Sequence, residues 1–136
     1  MVDKIAGSHK ILALFFVLAL NFSAYSQCPP GTFALAVTPP NPGTSTINNL
    51  TAGDYITIDV IAGNVYTFST CPAPAFDTEL TLYDDSGGFI DYNDDGGGCG
   101  LGSTIIWTAT YTGTVQLQLN EYAFVFGCGT NAKATD

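Results

Sequence analysis

Between Tyr55 and Asn120 apolar side chains recur at every second position, in short runs broken by turn residues. Ile56, Ile58 and Val60 alternate with Tyr55, Thr57 and Asp59, and Leu80 and Leu82 alternate with Glu79, Thr81 and Tyr83. Val115, Leu117 and Leu119 alternate with Gln116, Gln118 and Asn120. Successive side chains of a strand point to opposite faces, so each run predicts a strand with one face for a core and one for solvent. No stretch after the first 26 residues repeats apolar residues at helical spacing.

The runs are separated by turn chemistry: Ala62-Gly63-Asn64, Asp84-Asp85-Ser86-Gly87-Gly88, a glycine-rich loop over 93–102, and Thr112-Gly113. Further strands are expected over 65–70, 89–92 and through Ile105, Trp107 and Ala109. About seven short strands between polar turns predict an all-β, antiparallel β-sandwich of jelly-roll-like form. Trp107 and the inward phenylalanines are expected to fill its core.

Ahead of this pattern, Lys4 and Lys10 precede an unbroken apolar run from Ile11 to Leu20. A membrane-crossing helix needs about 20 such residues. A basic start, a short apolar stretch and Ala24 and Ser26 before Gln27 read as a cleaved secretory leader, residues 1–26. The expected organisation is then a lead-in over 27–53, rich in Pro, Thr and Asn, a sandwich over 54–128 and a tail over 129–136. No transmembrane segment is expected in the mature part, which belongs outside the cell or on a bacterial surface.

Loss of the leader removes Lys4, Lys10, His9 and Asp3, leaving Lys133 against 12 − 1 = 11 acids, a formal charge of 1 − 11 = −10. Phosphate backbones are bound by Lys and Arg that displace counterions, which excludes nucleic acid as a partner. Hydroxyl and thiol nucleophiles need a neighbouring base, and the mature part has no histidine. No catalytic residue is assigned, and no cofactor is required.

Cys28, Cys71, Cys99 and Cys128 all follow the leader. An even count in a small exported chain points to disulfides, and zinc is disfavoured without histidine or a CxxC pair. Cys71 with Cys99 and Cys28 with Cys128 is the favoured pairing of three possible.

Asp91-Tyr92-Asn93-Asp94-Asp95-Gly96 matches the first half of a calcium loop, in which oxygens two residues apart converge around a glycine bend. Asp91, Asn93 and Asp95 are therefore candidate Ca2+ ligands, with Asp84, Asp85 or backbone carbonyls to complete the shell. The twelfth loop position is Gly102, where a bidentate glutamate belongs. The competing reading is that these side chains hydrogen-bond their own turns. Phe76-Asp77-Thr78-Glu79 echoes an aspartic-protease signature but lacks its glycine, so Asp77 is read as capping a turn.

The ordered series Asp54-Tyr55, Ala62-Gly63-Asn64, Tyr66-Thr67-Phe68, Phe76-Asp77-Thr78, Leu80-Thr81-Leu82-Tyr83-Asp84, Asn93-Asp94-Asp95, Ser103, Ile105, Trp107 and Thr112-Gly113-Thr114-Val115 resembles the bacterial pre-peptidase C-terminal (PPC) domain. That domain is a β-sandwich appended to exported proteases and other surface enzymes, similar in architecture to the collagen-binding domains of secreted collagenases. The acidic N-terminal segment that carries calcium in those collagen binders is replaced here by a Pro/Thr/Asn lead-in. The resemblance implies a non-catalytic accessory module that binds or stabilises a larger extracellular protein or its substrate.

Two alternatives stand beside it. Tyr55, Tyr66, Tyr83, Tyr92, Tyr111 and Tyr122 would serve a carbohydrate-binding module if they formed an exposed strip. The calcium-loop residues would serve a calcium-dependent adhesion module. The partner expected is an extracellular polypeptide or a polysaccharide.

Overall fold

The computed structural model describes residues 31–72, 74–96 and 98–122. The leader 1–26, Cys28, Cys128 and the tail 129–136 lie outside the described residues, and with them the expected second disulfide.

Seven strands follow in order: β1 (Thr32–Val37), β2 (Asp54–Val60), β3 (Val65–Ser69), β4 (Thr78–Asp84), β5 (Phe89–Asn93), β6 (Thr104–Thr108) and β7 (Gly113–Glu121). They form a five-stranded sheet, β1-β2-β7-β4-β5, and a two-stranded sheet, β3-β6. The architecture is all-β, as the alternation predicts. It differs from expectation at β1, which pairs with β2 in parallel, so the larger sheet is mixed rather than antiparallel. A parallel pair needs a long crossover, and the 38–53 segment supplies it. The lead-in thus contributes an edge strand, while its Ile47 and Leu50 pack on the core.

The core lies between the sheets. Ile56, Ile58, Val60, Leu80, Leu82, Val115 and Leu119 come from the larger sheet and Phe68 and Ile105 from the smaller one, all buried. These are the in-phase residues of each alternating run. Trp107 and Tyr66 sit half-buried against this cluster from the smaller sheet. Burial of that apolar area is the main favourable term, about 25 cal/mol per Å2.

Cys71 and Cys99 form a disulfide, as expected, with Cα atoms 5.8 Å apart. It pins the glycine-rich loop beside the end of β3. Gly102 is required there, because a Cβ at this position would run into Cys99 Sγ and stand 3.1 Å from Cys71 Sγ.

Candidate functional site

The three candidate calcium ligands sit on β5 and the loop after it, and two of them spend an oxygen on the backbone. Asn93 ends β5 opposite Leu80, and its Oδ1 accepts the Thr104 N–H at 2.8 Å. Asp91 Oδ1 accepts the Tyr92 N–H at 2.8 Å. Asp95 is exposed in the loop. Among the described residues no group of three or more His, Cys, Asp and Glu gathers as metal ligands do.

The neighbouring acidic turn is closed on itself. The Asp84 carboxylate accepts the Ser86 hydroxyl at 2.6 Å and the N–H groups of Gly88 at 2.7 Å and Ser86 at 2.9 Å. The Ser86 hydroxyl, then the Gly88 N–H, hold its pKa below the ordinary 3.8. Asp77 goes the other way: burial first, then the charges of Asp95, Asp94 and Glu121, raise it. Its backbone carbonyl accepts the Tyr122 N–H at 2.9 Å, which joins the entry of β4 to the exit of β7.

Sequence reasoning missed a buried hydroxyl network between the sheets. Thr78 Oγ1 lies 2.7 Å from Thr70 Oγ1, and the Ser103 N–H donates to both, at 2.9 Å to Thr70 and 3.1 Å to Thr78. Ser103 Oγ reaches the Asp94 carbonyl at 2.6 Å. The available signal was phase: Thr78 is in step with Leu80 and Leu82, two and four positions on, so it had to face inward. Residues 31–122 contain no His, Lys or Arg, so no basic side chain among them can take a proton from Ser103.

The tyrosines pair with other rings more than they face water. Tyr66 contacts Phe68 and Trp107, with centroids at 6.2 and 6.4 Å, and Tyr111 meets Trp107 at 6.1 Å. Tyr55 lies against Phe33 at 5.6 Å and Tyr83 against Phe89 at 6.5 Å. Tyr92 stands beside Glu79 and Asp94, and burial followed by the Glu79 charge pushes its phenol well above the ordinary range. Tyr122 is the one tyrosine among the exposed large side chains of the described residues.

The smaller sheet turns a different surface outward. Phe68 and Ile105 face the core, so Val65, Thr67 and Ser69 of β3 and Thr104, Ile106 and Thr108 of β6 take the outer face. Val65 is 64% and Ile106 67% exposed. Neither VYTFS nor TIIWT contains a charged residue. Opposed residues of this ladder sum to a constant register, and Ala109 N–H donates to the Asn64 carbonyl while Thr70 N–H donates to the Ser103 carbonyl. The bonded pairs therefore fall on the even positions of β3. Val65, Thr67 and Ser69 point their backbone groups at the open edge.

A family model described as a domain of unknown function (DUF8695) matches residues 45–135. The chain belongs to the DUF8695 family. The DUF8695 match starts after β1 and takes in β2 to β7, hence both sheets. No curated protein and no solved structure matches the chain. In this DUF8695 chain no helix among the described residues is long and apolar enough to cross a membrane.

Proposed function

We propose that this DUF8695 chain is a non-catalytic, exported accessory module, of the PPC kind that its sequence resembles, which holds an extended segment of a larger extracellular polypeptide along the open edge of β3. The observation that carries this reading is that, among the described residues, no strand pairs with the outer edge of β3. Natural sheets guard their edges with charges, proline or bulges, because an open edge recruits another strand. Both outer strands of the larger sheet carry a register shift, β1 between Phe33 and Leu35 and β5 opposite Leu82 and Tyr83. The β3-β6 ladder is regular over five pairs, without charge and without proline. The β6 edge is partly closed, since Asn93 already takes the Thr104 N–H. That leaves β3.

Strand addition draws affinity from main-chain hydrogen bonds and specificity from alternate side chains. Val65 and the Thr67–Ile106 pair give such a strand an uncharged, β-branched surface to lie beside. The ring pairing of the tyrosines supports a scaffold role for them over a flat sugar platform.

The test is a selection of random peptides on the immobilised full chain, followed by a comparison with Thr67→Pro. Proline at this position removes an N–H aimed at the edge and no ladder bond to β6. Selected peptides are expected to bind the wild type and to bind Thr67→Pro at least about tenfold more weakly, at similar melting temperature. Equal binding to both, or retention on cellulose or chitin instead, sinks the reading.

A further inference from the structure

β1 lies at the edge of the larger sheet and, among the described strands, is paired with β2 alone. Its fit there is specific. A Cβ on Gly31 would collide with the Gly53 carbonyl, so only glycine lets the two backbones come this close. The Thr32 N–H donates to the same carbonyl at 2.8 Å. The Phe33 ring lies 5.6 Å from that of Tyr55, and Leu35 and Val37 pack half-buried against the core cluster. The β2 edge is thus an acceptor for a strand of the pattern Gly-Thr-Phe-x-Leu-x-Val, with main-chain bonds for affinity and alternate side chains for specificity.

The connection between β1 and its own β2 gives that strand little reason to stay in its own chain. Thr32, Phe33, Ala34 and Ala36 are exposed. The DUF8695 match begins at residue 45, inside the crossover, and leaves β1 out. Residues 38–49 make no backbone–backbone hydrogen bond to another described residue. Pro39, Pro40 and Pro42 favour extended chain, yet the crossover has to double back to carry β2 alongside β1. The return is tight, since a Cβ on Gly43 would stand 2.7 Å from Pro40 Cγ. A strand traded between two copies recovers every β1–β2 contact, so the crossover alone sets the balance.

We propose that the β2 edge accepts β1 from a second copy of this chain, so that two copies pair by reciprocal exchange of β1. Opening the turn at Pro40 and Gly43 releases the crowding there, and each copy supplies the strand that completes the other's larger sheet. The exchange uses a different edge from β3 and stands apart from the strand-docking reading.

The experiment uses the full chain carrying Ala36→Cys/Thr57→Cys, two residues directly opposed across β1 and β2. Ordinary and heavy-isotope-labelled chains are mixed at high concentration, the new pair is kept open by mild reductant until mixing is complete, and it is then closed by oxidation. Mass spectrometry of the digest weighs the joined peptides. In an equimolar mixture of exchanged dimers about half of the 36–57 links join a light peptide to a heavy one. Gly43→Ala, whose Cβ crowds the closed turn, is expected to tighten the dimer at least about tenfold by light scattering. Gly31→Ala spoils the fit of β1 in either arrangement and is expected to remove the mixed links. Thr67→Pro, which disables the β3 edge, is expected to leave them unchanged. Links of a single label only, in this background and with Gly43→Ala added, overturn the proposal, and so does a dimer whose 36–57 links never mix. Should the cysteine pair fail to close, light scattering without it decides: the dimer fraction has to rise in Gly43→Ala and fall in Gly31→Ala, and any other order overturns the exchange.

Discussion

Asn93 Oδ1 accepts the Thr104 N–H at 2.8 Å, tying the last residue of β5 in one sheet to the first residue of β6 in the other. Asn93→Ala leaves a part-buried N–H without an acceptor, which costs about 1–3 kcal/mol. Asn93→Asp keeps an acceptor and is expected to lose less. Urea unfolding at constant slope measures both. Millimolar calcium should leave the wild-type midpoint where it is while this oxygen stays on Thr104; a raised midpoint would restore the calcium reading of Asp91, Asn93 and Asp95.

The Cys71–Cys99 bridge closes a loop of sequence separation 28. Chain entropy for a loop of that size gives about 3.5 kcal/mol. The double variant Cys71→Ser/Cys99→Ser should therefore unfold at clearly lower urea, with the slope raised because its unfolded state is less compact. An unchanged midpoint would mean that the hydroxyl network of Thr70, Thr78 and Ser103 holds the loop alone.

Much of this was legible in the sequence, for one physical reason. Period-two alternation assigns each residue to a face, so Ile56, Leu82, Val115 and their neighbours could be placed in the core before any coordinates. The Cys71–Cys99 bridge belongs to the pairing that the sequence favoured among three possible ones. Alternation says which side a residue takes and nothing about what covers that side. Glu79, Thr81 and Asn120 read as solvent-facing, and they are buried. It is equally silent on strand direction, which is why the parallel β1 was missed. The calcium-loop spacing placed Asp91, Asn93 and Asp95 in a row, but the sandwich drew Asn93 toward Thr104, a partner 11 residues away.

Gly88 is held open for the Asp84 carboxylate. A Cβ on Gly88 would collide with Asp84 Oδ2, and that carboxylate is fixed by Ser86 and by the Gly88 N–H itself. Gly88→Ala is expected to cost about 1–3 kcal/mol through this clash. In an Asp84→Ala background the obstacle is gone, so adding Gly88→Ala should cost little more. Costs that simply add in the double-mutant cycle would mean the glycine is needed for some other reason.

Two acids at opposite ends of β4 should pull stability in opposite directions as pH changes. Asp84 has a lowered folded pKa, chiefly from the Ser86 hydroxyl, so its contribution is present above 3.8 and is lost as pH falls through the folded value. Asp77 has a raised folded pKa, chiefly from burial, then from Asp95, Asp94 and Glu121. Its contribution is present below 3.8 and is lost as pH rises through the folded value, so at neutral pH the ionised carboxylate is a burden on the fold. Asp77→Asn should therefore melt higher than wild type at pH 7, and the two curves should meet at about pH 3. Asp84→Ala should melt lower than wild type at pH 7, with the gap closing as pH drops below 3.8. Melting curves from about pH 2 to about pH 8, read as variant minus wild type, cancel the titration of the remaining acids. A gap for Asp77→Asn that held constant with pH would show that its side chain acts through packing and not through charge.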